Sequence, residues 1–182
     1  MIRGRFDRPR ATNVTCGAIA AIAAAIALTL PTPASSQTPP VAGATLRITG
    51  KVDKPLVMSE ADLEALPHTS LAVTNEKGEH VRYDGVPVID LLRQAEVPLG
   101  KQLKGPQMRL YVIVEAADGY QAVFALPEFD PDFTDRVIIL ADRRDGKPLT
   151  PAEGPFRLVV DGEKRHARWV REVTALEVEQ AP

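Results

Sequence analysis

The stretch that decides the fold is "GPFRLVVDGEKRHARWVREV", residues 154–173. It begins with a Gly-Pro turn, continues as an apolar run that carries one Arg, turns again, and becomes a basic segment that contains the only Trp of the chain. Residues 143–171 hold eight Lys and Arg against four acidic residues, a local net charge of +4. Arg side chains beside an aromatic ring are typical of a site for an anionic ligand.

Arg157 is the most informative residue of this stretch. Its neighbours Phe156 and Leu158 are expected to face the core, so the side chain of Arg157 points to the other face of the sheet. If that face is covered, the guanidinium needs an anion, because an unpaired buried charge is very costly. The anion is either a carboxylate of the chain, with Glu115 or Asp118 as candidates, or a bound ligand. Physics alone favours the ion pair.

The N-terminus is predicted to be a cleaved signal peptide, residues 1–36. Four Arg residues precede an apolar segment of 15 residues (16–30), and small residues that suit a signal peptidase follow it. The alternative, a membrane anchor, would need about 20 apolar residues. The segment has neither a Cys directly after it, as in a lipoprotein, nor an Arg-Arg pair before it, as in twin-arginine export. We therefore expect a periplasmic or secreted protein with no membrane span after cleavage.

The remainder is predicted to be a Pro-rich linker, residues 37–44, and a single domain, residues 45–182. Residues 1–36 contain four Arg and one Asp, so the remainder has 18 Lys and Arg against 23 Asp and Glu, a net charge of −5. This acidic balance argues against nucleic acid as a partner. The only Cys is Cys16, in the predicted signal peptide, so the domain must be stabilised by its core without disulfides.

Hydrophobic patterns predict a strand-rich α+β domain. The predicted strands and hairpins cover residues 44–50, 70–85, 109–127, 137–142, 156–160 and 174–179. A short helix capped by Ser59 is predicted within residues 58–67, and an amphipathic helix within residues 86–97. Hairpin turns are expected at Lys77-Gly78 and Asp118-Gly119. Strands therefore predominate, with short helices between them.

No catalytic residue or metal ligand is evident from the sequence. The domain lacks a Cys nucleophile and a G-x-S-x-G motif. His68, His80 and His166 are not spaced as metal ligands, and each is expected to be a surface histidine. Six acidic residues within 115–135 could in principle hold Ca²⁺, but no EF-hand spacing is present, and ordinary turn and capping roles are favoured for them.

Four segments follow one another in an order that resembles a known family. They are "YDGVPVIDLL" (83–92), "ADGY" (117–120), "VIILADRRDGKPL" (137–149) and "EGPFRLVVDGEKRHARWV" (153–170). From about residue 46 to residue 178, the chain resembles the molybdopterin-binding domain of sulfite oxidases and related molybdenum oxidoreductases. The family's last block is roughly a His-Gly-x-Pro-x-Arg element, a Pro-Gly turn and a Lys-Trp pair. The residues that match it here are Gly154, Pro155, Arg157, Gly162 and Trp169.

The resemblance implies a sulfite-oxidase-type molybdopterin-binding fold with a basic pocket beside aromatic rings. The residues expected to bind a cofactor or ligand there are Arg157, Arg168, Trp169, Tyr120, Arg143 and Arg144. The guanidinium groups of the Arg side chains suit the paired oxygens of a phosphate or carboxylate, and the aromatic side chains suit a flat ring.

Departures from the family pattern concern the metal. In the family, a Cys thiolate on the strand before the 83–92 segment binds molybdenum, a soft ligand in direct coordination. Here Thr74 or Asn75 lies near that position, and the family His is replaced by Glu153. The Lys before Trp169 is Arg168, which keeps the charge. A signal for unfolded export points the same way as the missing thiol, because an unfolded chain cannot carry a cofactor across the membrane.

Three functions are considered. The favoured hypothesis is a non-catalytic binding module for a small anionic or pterin-like ligand, or for a partner protein, with no cofactor expected. The alternative is a molybdopterin-dependent oxidoreductase of reduced form, in which Thr74 or Asn75 would have to replace a thiolate. A third option is a pure protein-interaction domain whose basic stretch is a solvated face.

Overall fold

The computed structural model of the protein describes residues 43–75 and 77–182. The predicted signal peptide, residues 1–36, and all but the last two residues of the predicted linker, 37–44, lie outside these ranges, so both stay predictions. Within these ranges no helix is long and apolar enough to cross a membrane.

Strands dominate the described residues, which confirms the strand-rich α+β prediction. The ten strands are β1 Thr45–Gly50, β2 Leu56–Ser59, β3 Thr69–Thr74, β4 His80–Pro87, β5 Leu110–Ala116, β6 Gln121–Ala125, β7 Ile138–Arg144, β8 Lys147–Pro148, β9 Arg157–Val160 and β10 Val173–Gln180. The two α-helices are α1 Glu60–Glu64 and α2 Val88–Gln94. Four 3₁₀ helices cover Gly100–Gln102, Gly105–Arg109, Leu126–Phe129 and His166–Arg168.

The strands form two sheets over one hydrophobic core. The first sheet has the order β2-β1-β10-β5-β6, and in it β10 pairs with β1 in parallel and with β5 in antiparallel orientation. The second has the order β3-β4-β7-β8, with β9 also paired to β7. The sequence predicts a central strand at the start of 109–127. The observed β5 is an interior strand, and the last strand, β10, is in the middle of the sheet.

Alternating burial explains why the pattern-based strand predictions succeed. In β1, Leu46 and Ile48 are buried while their neighbours are not, and in β6 the same holds for Ala122 and Phe124. A strand with one face on a core has this two-residue period. Both predicted hairpins form, since β3 pairs with β4 and β5 with β6 in antiparallel register.

Both predicted helices form, but each is shorter than its sequence pattern. Helix α1 begins with the predicted capping box: the Asp62 backbone amide donates to Ser59 Oγ over 3.2 Å, and the Ser59 amide donates to Asp62 Oδ2 over 2.8 Å. Helix α2 buries one apolar face, as expected of the predicted amphipathic helix. The residues Val88, Leu91, Leu92 and Ala95 on this face are all fully buried. The helix begins only at Val88, because the two residues before it still pair with β7.

Gly85 is required by a close approach between β4 and β7. The register of this pair shifts between Asp84 and Gly85. A Cβ atom at position 85 would overlap the backbone of Leu140 and Ala141. Only glycine allows the two backbones to come this close.

We predict that Gly85→Ala lowers the free energy of unfolding by at least about 2 kcal/mol, because backbone cannot move aside as a flexible side chain can. Urea denaturation followed by circular dichroism measures the change. The matched control is Gly43→Ala, since no atom lies within 4 Å of the Cβ position there. Equal stability of the two variants would contradict the steric argument.

Candidate functional site

Backbone hydrogen bonds bring three separate segments together at one end of the domain. The amide of Val173 donates to Phe156 O over 2.9 Å, and the amide of Glu172 donates to Glu153 O over 3.1 Å. The amide of Ala117 in turn donates to Glu172 O over 2.9 Å. The turn before β9, the approach to β10 and the β5–β6 turn are therefore fixed side by side.

These segments, with the β3–β4 turn and the end of β7, enclose a cavity of about 560 Å³, hereafter the basic cavity. Its basic lining side chains are Lys77, Arg144, Arg157 and Arg171. Its acidic lining side chains are Asp118 and Glu153. Among the described lining residues, four cationic groups against two anionic ones leave a positive balance, which favours an anionic ligand.

One wall of the basic cavity is aromatic. The rings of His166 and Trp169 stack with centroids 3.7 Å apart and an interplanar angle of 15°. Trp169 in turn meets Tyr83 edge-on at 6.1 Å, and its own exposure is only 4%. Tyr120 is 50% exposed, and its hydroxyl donates to Ala167 O over 2.7 Å. His166 and Tyr120 are therefore the aromatic rings that the cavity presents, with Trp169 behind His166.

Arg157 lies at the base of this wall. Its guanidinium carbon is 5.6 Å from the centroid of Tyr83 and 5.8 Å from that of Trp169, so the cation contacts two ring systems. Its side chain is 15% exposed, and Nη1 donates to the Tyr83 hydroxyl over 3.3 Å. The same Nη1 forms an ion pair with Glu153.

The prediction that Arg157 pairs with a carboxylate is confirmed, but both candidate partners are wrong. The partner is Glu153, not Glu115 or Asp118. The Gly154–Pro155 turn reverses the chain just before β9, so a residue four positions earlier lies beside the guanidinium. Arg144 Nη1 approaches the same Glu153 oxygen at 3.5 Å. Two cations therefore share one carboxylate.

Two buried donors of the cavity residues have no acceptor. Arg157 Nε and Trp169 Nε1 form no hydrogen bond within residues 43–75 and 77–182. Buried donors are usually paired, and exceptions often mark functional sites.

The four other predicted ligand residues divide into two groups. Tyr120 and Arg144 line the basic cavity together with Arg157 and Trp169, whereas Arg143 and Arg168 do not. Arg143 precedes Arg144 on β7, and successive side chains of a strand point to opposite faces. Arg143 therefore points away and pairs with Glu64.

Arg168 belongs to a separate charged cluster. It pairs with Glu163 and, at 3.1 Å, with Glu128, and its guanidinium lies 4.2 Å from the centroid of Phe124. It also donates to Val123 O at the edge strand β6 over 3.4 Å. These contacts give Arg168 a structural role next to the basic cavity rather than in its lining.

Lys77, His166 and Arg171 line the basic cavity although the sequence analysis did not name them as ligand residues, and His166 was expected to be a surface histidine. It lies three residues before Trp169, at the start of a 3₁₀ helix. Side chains three apart in this helix type eclipse one another, which places the imidazole on the indole. The spacing His-x-x-Trp could have indicated this stacking, but only if a 3₁₀ helix was assumed at these residues.

A smaller recess of about 160 Å³ adjoins the basic cavity and adds Asn75 and Tyr83 to its lining. Asn75 is one of the two residues expected near the family's thiolate position. Its Oδ1 accepts from the amides of Lys77 and Glu79 over 2.9 Å, and its Nδ2 donates to Glu79 Oε2 over 2.7 Å. Both ends of this carboxamide are therefore engaged in the hairpin turn.

Thr74, the other residue near that position, is also engaged. Its hydroxyl lies 3.4 Å from His80 Nδ1. In the described part of the chain, no group of three or more His, Cys, Asp or Glu residues is placed to hold a metal ion. The residues present suit an anionic ligand with a flat ring, and they do not fit protein ligation of molybdenum.

Burial raises the pKa of the Tyr83 hydroxyl above its ordinary value, while the positive charge of Arg157 opposes the shift. The unfolded chain releases this proton near pH 10, but the folded protein retains it to higher pH. The contribution of Tyr83 to stability is therefore fully present below about pH 10 and is lost as the pH rises toward the folded pKa.

We predict that the free energy of unfolding declines less steeply above about pH 10 in Tyr83→Phe than in the unchanged protein. Urea denaturation at a series of alkaline pH values provides the measurement. Parallel declines for the two proteins would show that Tyr83 titrates alike in the folded and unfolded states.

The family model described as "Oxidoreductase molybdopterin binding domain" matches residues 32–182. No curated protein matches the chain significantly. A similar solved structure is the crystal structure of the sulfane dehydrogenase SoxCD from Paracoccus pantotrophus, with a TM-score of 0.60 and 24% identity. The match covers 76% of this chain and only 38% of that one, and at this identity it shows the fold alone.

Proposed function

The chain belongs to the family of oxidoreductase molybdopterin-binding domains, and from this premise we propose that its basic cavity binds a small ligand with an anionic group and a flat ring. The protein acts as a non-catalytic binding module, in which no side chain coordinates molybdenum. The observation that carries the proposal is the pair of guanidiniums, Arg144 and Arg157, beside the stacked rings of His166 and Trp169.

The chemistry of the cavity supports this ligand class. Arg side chains bind carboxylate and phosphate oxygens through paired, charge-assisted hydrogen bonds. The outer face of His166 and the half-exposed ring of Tyr120 suit the faces of a flat heterocycle. A volume of about 560 Å³ is within the range of ordinary small-molecule sites.

The hydrogen bonds of Asn75 argue against the alternative, a molybdopterin-dependent oxidoreductase in which this residue replaces the thiolate. A hydroxyl or amide is a poor replacement for a thiolate at a soft metal. Here the amide is also held by three hydrogen bonds of the hairpin turn. Binding of a molybdopterin, if it occurs, would therefore rest on Arg144, Arg157 and the aromatic wall and not on a bond from the protein to the metal.

The proposal includes export. The basic and apolar residues of the leader, 1–36, favour transport to the periplasm or beyond as an unfolded chain. A domain exported in this way would acquire its ligand outside the cytoplasm.

Arg144→Gln should weaken the binding of 6-carboxypterin, an anionic flat probe, by about tenfold, the effect of one lost charge-assisted hydrogen bond. Isothermal titration calorimetry gives the dissociation constants. The matched control is Arg143→Gln, which removes the same charge one residue earlier on β7 but outside the cavity. If the unchanged protein does not bind the probe, or if the two variants weaken binding equally, the proposal fails.

Protein purified from its native compartment should contain far less than equimolar molybdenum, because the described residues include no Cys thiolate for the metal. Elemental analysis of the purified chain, with extraction for a pterin, tests this. An equimolar amount of molybdenum would contradict a non-catalytic module and favour the oxidoreductase.

A further inference from the structure

The end of the basic cavity at Arg144 and Arg157, hereafter the anion-binding end, already contains a carboxylate of the chain itself. The Glu153 carboxylate pairs with Arg157, and its Oε1 lies 3.5 Å from Arg144 Nη1. A carboxylate between two guanidiniums is the arrangement that proteins use to hold an anionic ligand. Glu153 thus makes the contacts that the proposed function assigns to the anionic group of a ligand.

Apart from its ion pairs with the two arginines, the side chain of Glu153 is held weakly. Its backbone is fixed, since its amide donates to Thr150 O over 2.9 Å and its carbonyl accepts from Glu172. Among the described residues, the carboxylate accepts one hydrogen bond besides its contacts with the two arginines, a long one of 3.4 Å from Thr150 Oγ1. Rotation of the side chain alone would therefore free both guanidiniums without a change in the backbone.

The cost of this rotation depends on what replaces the carboxylate. Arg157 is 15% exposed, so leaving it without an anion would be costly. An incoming phosphate or carboxylate group removes that cost because it neutralises the same cation. The exchange is thus favourable only when an anion of at least equal charge enters.

We propose that Glu153 is an internal anion that closes the anion-binding end of the basic cavity, and that a ligand binds there by displacing its carboxylate. This inference rests on the proposed function. It makes Glu153 the residue that determines specificity: the end of the cavity selects ligands whose anionic group competes with a carboxylate held nearby. Multiply charged oxyanions of the phosphate type meet this condition best.

The chain offers a matched control for the test. Glu163 is also paired with an arginine, Arg168, and its side chain is 13% exposed against 14% for Glu153. It does not line the basic cavity. Glu153→Gln and Glu163→Gln therefore remove the same charge from similar environments, and only the first opens the proposed site.

The experiment titrates inorganic pyrophosphate into the full chain and both variants by isothermal titration calorimetry. Glu153→Gln should bind pyrophosphate about tenfold more tightly than the unchanged protein, a factor that one largely buried charge pair can supply. Glu163→Gln should leave the dissociation constant unchanged. Pyrophosphate should also raise the thermal midpoint of Glu153→Gln more than that of the unchanged protein, since it supplies the missing anion.

The outcomes separate this inference from the proposed function. If Glu153→Gln binds no more tightly than the unchanged protein, or if Glu163→Gln gains as much, the role of Glu153 is overturned while the binding cavity stands. If the unchanged protein does not bind 6-carboxypterin, and neither it nor Glu153→Gln binds pyrophosphate, both proposals fail. Should Glu153→Gln not fold, Glu153→Asp withdraws the carboxylate by one methylene and must give a smaller gain in the same direction. No gain there overturns the inference.

Discussion

A guanidinium enclosed by two aromatic rings and one carboxylate is the constraint on which this end of the domain depends. Arg157 begins β9 in the second sheet, Tyr83 comes from β4 of the same sheet, and Trp169 precedes β10 of the first. A cation this deeply placed must be neutralised, and the turn before β9 supplies Glu153 for the purpose. The turn, the 3₁₀ helix and the start of β10 are therefore arranged around one charge.

Hydrophobic periodicity predicted most of the helices and strands, because the side chains buried in the core follow the repeat of the element that carries them. In α2 the buried set Val88, Leu91, Leu92 and Ala95 follows the helical repeat, and in β1 the pair Leu46 and Ile48 follows the strand repeat. The boundaries were less predictable. Helix α2 begins two residues late, since backbone pairing of Val86 and Pro87 with β7 takes precedence over helix propensity.

The contacts of the site could not be predicted from the same patterns. Arg143 and Arg144 are identical in type and adjacent, yet only the position of β7 in its sheet decides which one faces the cavity. Glu115 and Asp118 were the candidate partners of Arg157, but the partner is Glu153, which lies in the turn just before β9. Which side chain faces the cavity and which residue pairs with it depend on tertiary geometry, which the patterns of a single sequence do not specify.

The basic cavity and the position expected for the thiolate lie in different parts of the site and are fixed by different residues. The basic and aromatic residues are fixed by the core of both sheets, through Tyr83, Trp169 and the buried strand β9. The position expected for the thiolate lies in the β3–β4 turn, where Asn75 Oδ1 accepts two backbone amides. A side chain that closes this turn cannot also point a donor at a metal. A thiol at this position would lose those hydrogen bonds, whereas the anion-binding end would be unaffected. The proposed binding of an anionic ring thus depends on other residues than those near the position expected for the thiolate.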